Sequence, residues 1–401
     1  MNKFKYYFIL LLAGISLVSC NKSDDNDVVT VPLRDYAEQY KADNDSIIKY
    51  LKTNYITVTN NPGTPQDQDV VIKKIVAGDG NVSIWDQTTY PLETRDVYSN
   101  DVAYKVYYLT LRKGLGQSPT NTDKVVTSYS GNLLDNTVFE TSYGYATNWF
   151  LFPYGADTAT DKVTRVEGWS EIFPKFKTGT SKTDPNSGVI TYSDFGAGVM
   201  FLPSGLAYYA GGSGSVPAYT PVVFSFKLFD LQRMDNEFTV SSTTGQVVFL
   251  GDGVPDYLED SNGDGYLYDF RDTKKYPNPP ANLVDDTDGD GIPDFLDFDD
   301  DGDGFTTRFE LTKPADQVGI IGGVNYGARF YYPWDPIVDN PLTPNVDETE
   351  PRGIPRRPTG ALADPGKPES STNVKAYLPE DYTANPRLRI HLDKTYPIKQ
   401  N

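Results

Sequence analysis

The chain has 401 residues, with 55 Asp and Glu against 36 Lys and Arg for a net charge of −19, one cysteine and one histidine. That balance excludes the basic footprint a nucleic-acid partner needs, and a lone cysteine, Cys20, excludes disulfides within the chain and thiolate zinc sites. The charge is local, since residues 250–310 hold 18 acidic side chains against four basic ones; the length allows two or three folded units.

Lys3 and Lys5 precede an apolar run from Tyr7 to Val18 that ends at Leu17-Val-Ser-Cys20. A charged start, a short apolar stretch and small residues before a cleavage point predict a secretory signal over 1–19 rather than a spanning helix. Leu-Val-Ser-Cys resembles a bacterial lipobox, which makes Cys20 the expected lipidated first residue. The acidic tether over 20–32, with Ser23-Asp24-Asp25 and Asp27, resembles the tags of surface-exposed lipoproteins. The expected location is the outer membrane, facing the cell exterior. Residues 33–104 follow as a helix and added strands. A helical stripe runs through Leu33, Tyr36, Ala37, Tyr40, Ile47, Ile48 and Leu51, Asn61-Pro-Gly-Thr-Pro65 breaks it, and strand-like runs lie at Val70–Val76, Val82–Trp85 and Ala103–Leu111.

Residues 105–235 form the central unit. Val222 to Leu231 alternates, with Phe224, Phe226 and Leu228 on one face and Ser225 and Lys227 on the other. The segments Val126-Thr-Ser-Tyr129-Ser-Gly131, Thr137-Val-Phe139-Glu140, Val166-Glu-Gly168-Trp169, Leu202-Pro-Ser-Gly-Leu-Ala-Tyr208, Val216-Pro217 and Val222-Val-Phe224 occur in fixed order. In that order and spacing, residues 105–233 resemble the FKBP-type peptidyl-prolyl isomerases. The resemblance implies an α+β fold, a curved antiparallel sheet around a short helix at Gly168–Phe176, with Gly211–Ser215 as a loop over the pocket. It implies a proline pocket with Trp169 as floor, Tyr129, Phe150 and Phe224 as walls and Val216 at the rim. Phe139 and Glu140 belong to the same pocket, and the Val166 N–H and Tyr208 hydroxyl would hold substrate carbonyls. The run Trp149-Phe-Leu-Phe152 also allows another register. Glu140 stands where active members usually carry Asp, and Tyr209 where a Gly usually follows the tyrosine. Such a pocket suits the chemistry: an X-Pro amide loses resonance as it twists, so an apolar site disfavours the polar planar form more than the twisted one and needs no nucleophile or metal.

The acidic segment, residues 236–310, repeats one scheme. Asp299-x-Asp301-x-Asp303-Gly-Phe305-x4-Glu310 fills every ligand position of a twelve-residue calcium loop, Phe305 by its carbonyl. Asp286-x-Asp288-x-Asp290-Gly-Ile292-Pro-Asp294-x-x-Asp297 repeats it, and an earlier copy runs through Asp252, Asp256, Glu259, Asp260, Asn262 and Asp264. Pro255 and Pro293 and the abutting loops leave no room for EF-hand helices; the array resembles thrombospondin type 3 repeats, with calcium in a structural role. Residues 311–401 carry 13 prolines and predict an extended region, disordered or wrapped on the core or a partner.

Two functions fit. One is a surface-anchored isomerase and folding factor acting on X-Pro segments of outer-membrane or secreted clients. The other is a non-catalytic FKBP-fold accessory subunit of an integral outer-membrane export (type 9 secretion-like) or uptake complex.

Overall fold

The structure is a computed structural model that describes residues 33–152, 166–341, 343–383 and 386–398. The expected signal peptide, Cys20 and the acidic tether lie outside the described residues.

Helix α1 (Tyr36–Thr53) starts at Asp35, whose carboxylate accepts the Glu38 N–H at 3.0 Å and satisfies one of the free donors of the first turn. Its buried face runs Gln39, Asp43, Ile47, Tyr50, Leu51. The apolar half packs on a sheet; the polar half has a separate task described below. Strands β1 (Asn54–Val58) and β2 (Val70–Lys74) form a hairpin of their own. Val82–Trp85, expected as a strand, is instead a turn: its Ile84 and Trp85 N–H groups donate to the Asn54 and Leu51 carbonyls where α1 ends. The need to pair those carbonyls overrides the β propensity of the run.

The chain continues through β3 (Leu92–Ser99), β4 (Val102–Arg112), β5 (Lys124–Leu133), β6 (Val138–Thr141), β7 (Thr147–Phe150), helix α2 (Glu167–Ile172), the separate hairpin β8 (Thr180–Thr183) and β9 (Ile190–Ser193), β10 (Gly196–Leu202) and β11 (Val222–Gln232); seven of these strands form the main sheet. The order of the main sheet is β3-β4-β10-β11-β5-β6, all antiparallel, with β7 also on β5. β4 starts at Val102, so the strand runs through the boundary expected at 104/105.

Both faces of this sheet are covered. On one, Tyr129, Met200, Leu202, Phe224, Phe226 and Leu228 pack against Trp169 and Ile172 of α2 and against Phe173 and Phe176 just after it. On the other, Tyr107, Leu109, Val199, Phe201 and Val223 pack against Ile47, Tyr50 and Leu51 of α1 and against Ile84. Each fully buried aliphatic or aromatic side chain contributes about 1.5–3 kcal/mol. The alternation of β11 therefore does not mark a wet face. Lys227 is 1% exposed, and its ammonium reaches Asp69 at 2.5 Å and the Pro65 carbonyl at 2.8 Å, the pairing a buried cation requires.

After β11 comes the hairpin β12 (Phe238–Val240) and β13 (Val247–Phe249), then the acidic loops and helix α3 (Thr307–Glu310). The described part of 311–398 is held by isolated bridges such as Thr312–Tyr331 and Arg356–Arg389. Leu311, Tyr332, Ile354 and Ile390 share a small core with Val254 of the repeats. His391 is buried there beside the Trp334 ring, and burial, then the charge of Arg389, lowers its pKa from 6.5 to about 3. A depressed histidine stabilises the fold above its unfolded pKa and loses that contribution as pH falls below about 6.5, by up to about 1.4 kcal/mol per pH unit. Denaturant titrations at pH 7 and pH 5 should show a larger acid loss in the native protein than in His391→Phe; equal losses would refute the assignment.

Candidate functional site

Most of the expected cleft residues form one aromatic cluster assembled from several parts of the chain. β5 supplies Tyr129 and β11 supplies Phe224, both on the face covered by α2. The first turn of α2 carries Trp169, two residues inside the helix boundary at Glu167, with Val166 as its N-cap residue. The three rings meet edge to face: Tyr129 and Trp169 have centroids 4.8 Å apart, Trp169 and Phe224 5.3 Å, the geometry aromatic quadrupoles favour. Tyr129, Val166, Trp169, Val216 and Phe224 are all buried, while Phe139 and Tyr208 are half-buried and form the mouth.

A bulge aims two neighbouring residues at this cleft. On β6, Glu140 pairs with Gly131 and Val138 with Asn132, so Phe139 has no register partner. In a regular strand Phe139 and Glu140 would point to opposite faces; a bulge re-aims one of them. The Phe139 ring lies 5.6 Å from Phe224 and 6.3 Å from Tyr208, while Glu140 Oε1 accepts the Tyr129 hydroxyl at 2.8 Å. Gly131 makes room: a Cβ there would stand 2.5 Å from Phe139 Cζ and 2.9 Å from Phe224. Burial, then the Glu140 hydrogen bond and charge, raises the Tyr129 phenol above its ordinary value. Burial, then the Glu140 charge, pushes Tyr208 up to about 12. Both phenols stay protonated at neutral pH, and that of Tyr129 donates to Glu140.

Phe150, expected as a wall, faces away from the cleft, with the Lys124 ammonium 4.6 Å from its ring. Trp149 takes the place, 6.1 Å from Tyr129 and 5.5 Å from Trp169. Strand β7 alternates, so only one of the two neighbours can share the face of Tyr129, and its register against β5 selects Trp149, leaving Phe150 buried on the other side. Tyr209 turns out of the cleft. It takes φ +40°, where a glycine would be unstrained, and stacks on Tyr36 at 4.0 Å. The loop bearing Tyr208 is fixed from α1, because buried Asp43 accepts the N–H and hydroxyl of Ser204 at 2.7 and 2.6 Å.

The acidic segment holds a second kind of site. Asp286, Asp288 and Asp290 converge, as do Asp299, Asp301 and Asp303, each set offering carboxylate oxygens within 4.8 Å of one another. In the latter, Asp301 Oδ2 and Glu310 Oε1 are buried without a hydrogen-bond partner. Burial and the neighbouring aspartates push Glu310 up to about 10 and Asp301 to about 7. Oxygen-only donors at this spacing fit a hard cation. Asp297 sits in the field of Asp290 and Asp288, and Phe305 and Ile292 hold the carbonyl positions, their N–H groups donating to Asp303 and Asp290. Asp260, Asn262 and Asp264 form a hydrogen-bonded loop on Gly263 and Gly265. Two of the expected ligands also brace loops. Both oxygens of Asp294 accept from Thr287, and both of Asp256 from Asn236. Two further groups, Asp235–Glu237–Asp252 and Asp252–Glu259–Asp300, bring in Asp235, Glu237 and Asp300, which the spacing rule does not select.

Residues 251–345 match the family model described as BamM C-terminal, a stretch that crosses from the acidic loops into the proline-rich region. Among curated proteins the chain is similar to the peptidyl-prolyl cis-trans isomerase Mip of Coxiella burnetii, 33% identical over 81 residues, 20% of this chain and 30% of Mip. It is also similar to the FKBP-type peptidyl-prolyl cis-trans isomerase FkpA of Aeromonas hydrophila, 28% identical over 127 residues, 31% of this chain and 38% of that protein. The chain thus spans less than two fifths of the length of either relative, and that part has FKBP-type peptidyl-prolyl isomerase homology. Solved structures similar to it include a peptidyl-prolyl cis-trans isomerase of Pseudomonas syringae pv. tomato, at 22% identity, 32% of this chain, 76% of that one and TM-score 0.24. FkpA of Escherichia coli is similar at 22% identity, 37% of this chain, 54% of that one and TM-score 0.25.

Proposed function

We propose that the cleft binds the proline of a protein client and speeds rotation about its X-Pro bond, in a lipoprotein held at the outer membrane and exposed on the cell surface. The observation that carries this reading is the buried floor of Tyr129, Trp169 and Phe224 beneath the half-exposed Phe139 and Tyr208. The pyrrolidine ring lies on Trp169, and the Tyr208 hydroxyl and Val166 N–H hold neighbouring carbonyls. The planar amide is the more polar form and loses most on leaving water, so the twisted form is bound better. Each 1.4 kcal/mol of that difference, roughly, gives a tenfold rate increase. Purified protein should accelerate cis-to-trans conversion of an X-Pro peptide, and Trp169→Ala should reduce kcat/KM at least tenfold. A rate equal to buffer alone from folded protein rejects the enzyme.

The accessory-subunit reading would then stand. It is favoured by the Glu140 carboxylate already engaged by Tyr129 and by Tyr209 in the position of a usual glycine. A match over 251–345 to a module named as another protein's C-terminal part also supports it. In that role the cleft docks an outer-membrane partner without turnover.

Anchoring rests on Cys20 and the acidic residues after it. Cys20→Ala should release the protein from membranes, and protease added to intact cells should digest the native form. Retention of the variant, or full protection, contradicts surface anchoring.

Calcium has a structural role in this reading, held by Asp286, Asp288, Asp290 and Asp297 and by Asp299, Asp301, Asp303 and Glu310. A ligand bound only by the folded form stabilises it by mass action. Chelation should lower the melting temperature and open residues 250–310 to protease, with less effect on turnover than on stability. An unchanged melting curve with and without millimolar calcium would sink the proposal.

A further inference from the structure

The group Asp235–Glu237–Asp252 has a pattern already seen in the contiguous loop that starts at Asp286. There, with positions counted from Asp286, the carboxylates at 1, 3 and 5 converge. The Ile292 N–H at position 7 donates to Asp290 at 2.8 Å. Asp294, at position 9, accepts the N–H of position 2, Thr287, at 2.7 Å. Pro293 precedes a short 3-10 turn over Asp294–Leu296.

Every one of these features recurs around Asp252. The Val254 N–H donates to Asp252 Oδ1 at 2.7 Å. Asp256 accepts the Asn236 N–H at 2.9 Å, and Pro255 precedes the 3-10 turn Asp256–Leu258. Gly253 and Gly291 have φ of 107° and 97°, a conformation nearly closed to other residues. If Asp256 is position 9, then Asn236, which it holds, is position 2. Asp235 and Glu237 are therefore positions 1 and 3, Asp252 position 5 and Glu259 position 12. Residues 238–250, the hairpin β12–β13 and its flanks, are an insertion between positions 3 and 4. The insertion leaves and returns at one point, since the Leu250 N–H donates to the Glu237 carbonyl at 3.1 Å. Gly251, next in line, has no Cβ because one would lie 2.4 Å from Asp235 Oδ1.

The donor atoms are buried and unused. Asp235 Oδ1, Glu237 Oε1, Asp252 Oδ2 and both Glu259 oxygens have no hydrogen-bond partner, nor has either oxygen of Asp300, which joins Asp252 and Glu259 within 4.8 Å. Glu237 and Asp252 are fully buried and Glu259 and Asp300 are 5% and 2% exposed. The hydroxyl of Thr307, fully buried, lies beside Asp252 and Asp300 and lowers the cost of charge on both. Among the described residues none of the five carboxylates forms an ion pair with Lys or Arg. Burying several carboxylates without a counter-charge costs several kcal/mol per ion; protonation relieves that cost but removes ligand oxygens, whereas a cation at their centre relieves it and uses them. The donors are all oxygen, more numerous than magnesium's preference for retained waters allows, which selects calcium.

We infer that Asp235, Glu237, Asp252 and Glu259 form a further calcium loop, split by the hairpin 238–250 and closed from outside by Asp300. It rests on the reading of the contiguous loops as calcium sites. Its ligands start three residues beyond the end of β11, where Arg233 pairs with Asp123 and the Asn236 amide donates to the Thr122 carbonyl. The cation would pin the central sheet to the acidic segment.

The test counts calcium ions on the full-length protein by native mass spectrometry after stripping and re-addition of calcium. Asp235→Asn with Glu237→Gln should lose at least one ion that Asp286→Asn with Asp288→Asn retains. The first pair should also raise the melting temperature of the metal-free protein, because it removes like charge; a misfolded variant would not. A variant lacking residues 238–250, with Glu237 joined to Gly251, should keep the native count. An unchanged count in the first pair, or a lost ion in the excised variant, overturns the split loop. No calcium on the native protein overturns the contiguous loops as well.

Discussion

The structure depends on β11 being buried on both faces. Phe224, Phe226 and Leu228 complete the core beneath α2, while Val223, Ser225 and Lys227 face the layer built by the N-terminal region. A strand in that position must satisfy any polar group it carries within the protein, and the Lys227–Asp69 pair is the result. The double burial also fixes register, since a one-residue slip would turn Phe224 and Phe226 out of the aromatic cluster. The cleft inherits its geometry from that constraint: Gly131 lies opposite Phe224 and Tyr129 opposite Phe226.

Around this strand the cleft is positioned by interactions that never touch a substrate. The bulge at Phe139 lets one short strand present both a ring and a carboxylate. Asp43 reaches from α1 to Ser204 and holds the loop that presents Tyr208. A buried carboxylate accepting two hydrogen bonds at under 3 Å is a strong tie. It makes the N-terminal helix part of the site's framework, together with Tyr36 and Tyr40, which pack against the same core.

The sequence made the aromatic set visible because six segments occur in one order, and the acidic loops visible because calcium ligands follow fixed spacing. What stayed hidden has identifiable causes. Trp149-Phe-Leu-Phe152 contains no polar residue to break the tie between registers, so Phe150 could not be told from Trp149. The burial of Lys227 has no local signal in the sequence, because its partners, Pro65 and Asp69, lie far away along the chain. Val82–Trp85 has strand composition but spends its N–H groups on the end of α1. Asp235 and Glu237 were masked by an inserted hairpin. A cue existed, since Val254-Pro-Asp256 matches Ile292-Pro-Asp294 and implies two missing carboxylates upstream.

Val254 belongs to two systems at once. Its backbone sits in the turn of a carboxylate loop, its N–H on Asp252, while its side chain is completely buried in the core formed by Leu311, Tyr332, Ile354 and Ile390. A residue that answers to both an ionic loop and an apolar core links their equilibria. Distortion of the loop displaces the side chain, and loosening of the core frees the loop. The proline-rich region, which has no long strand or helix among its described residues, thereby gains cooperativity from a segment held by charge. Its order is a property of the pair of segments, and neither one has it alone.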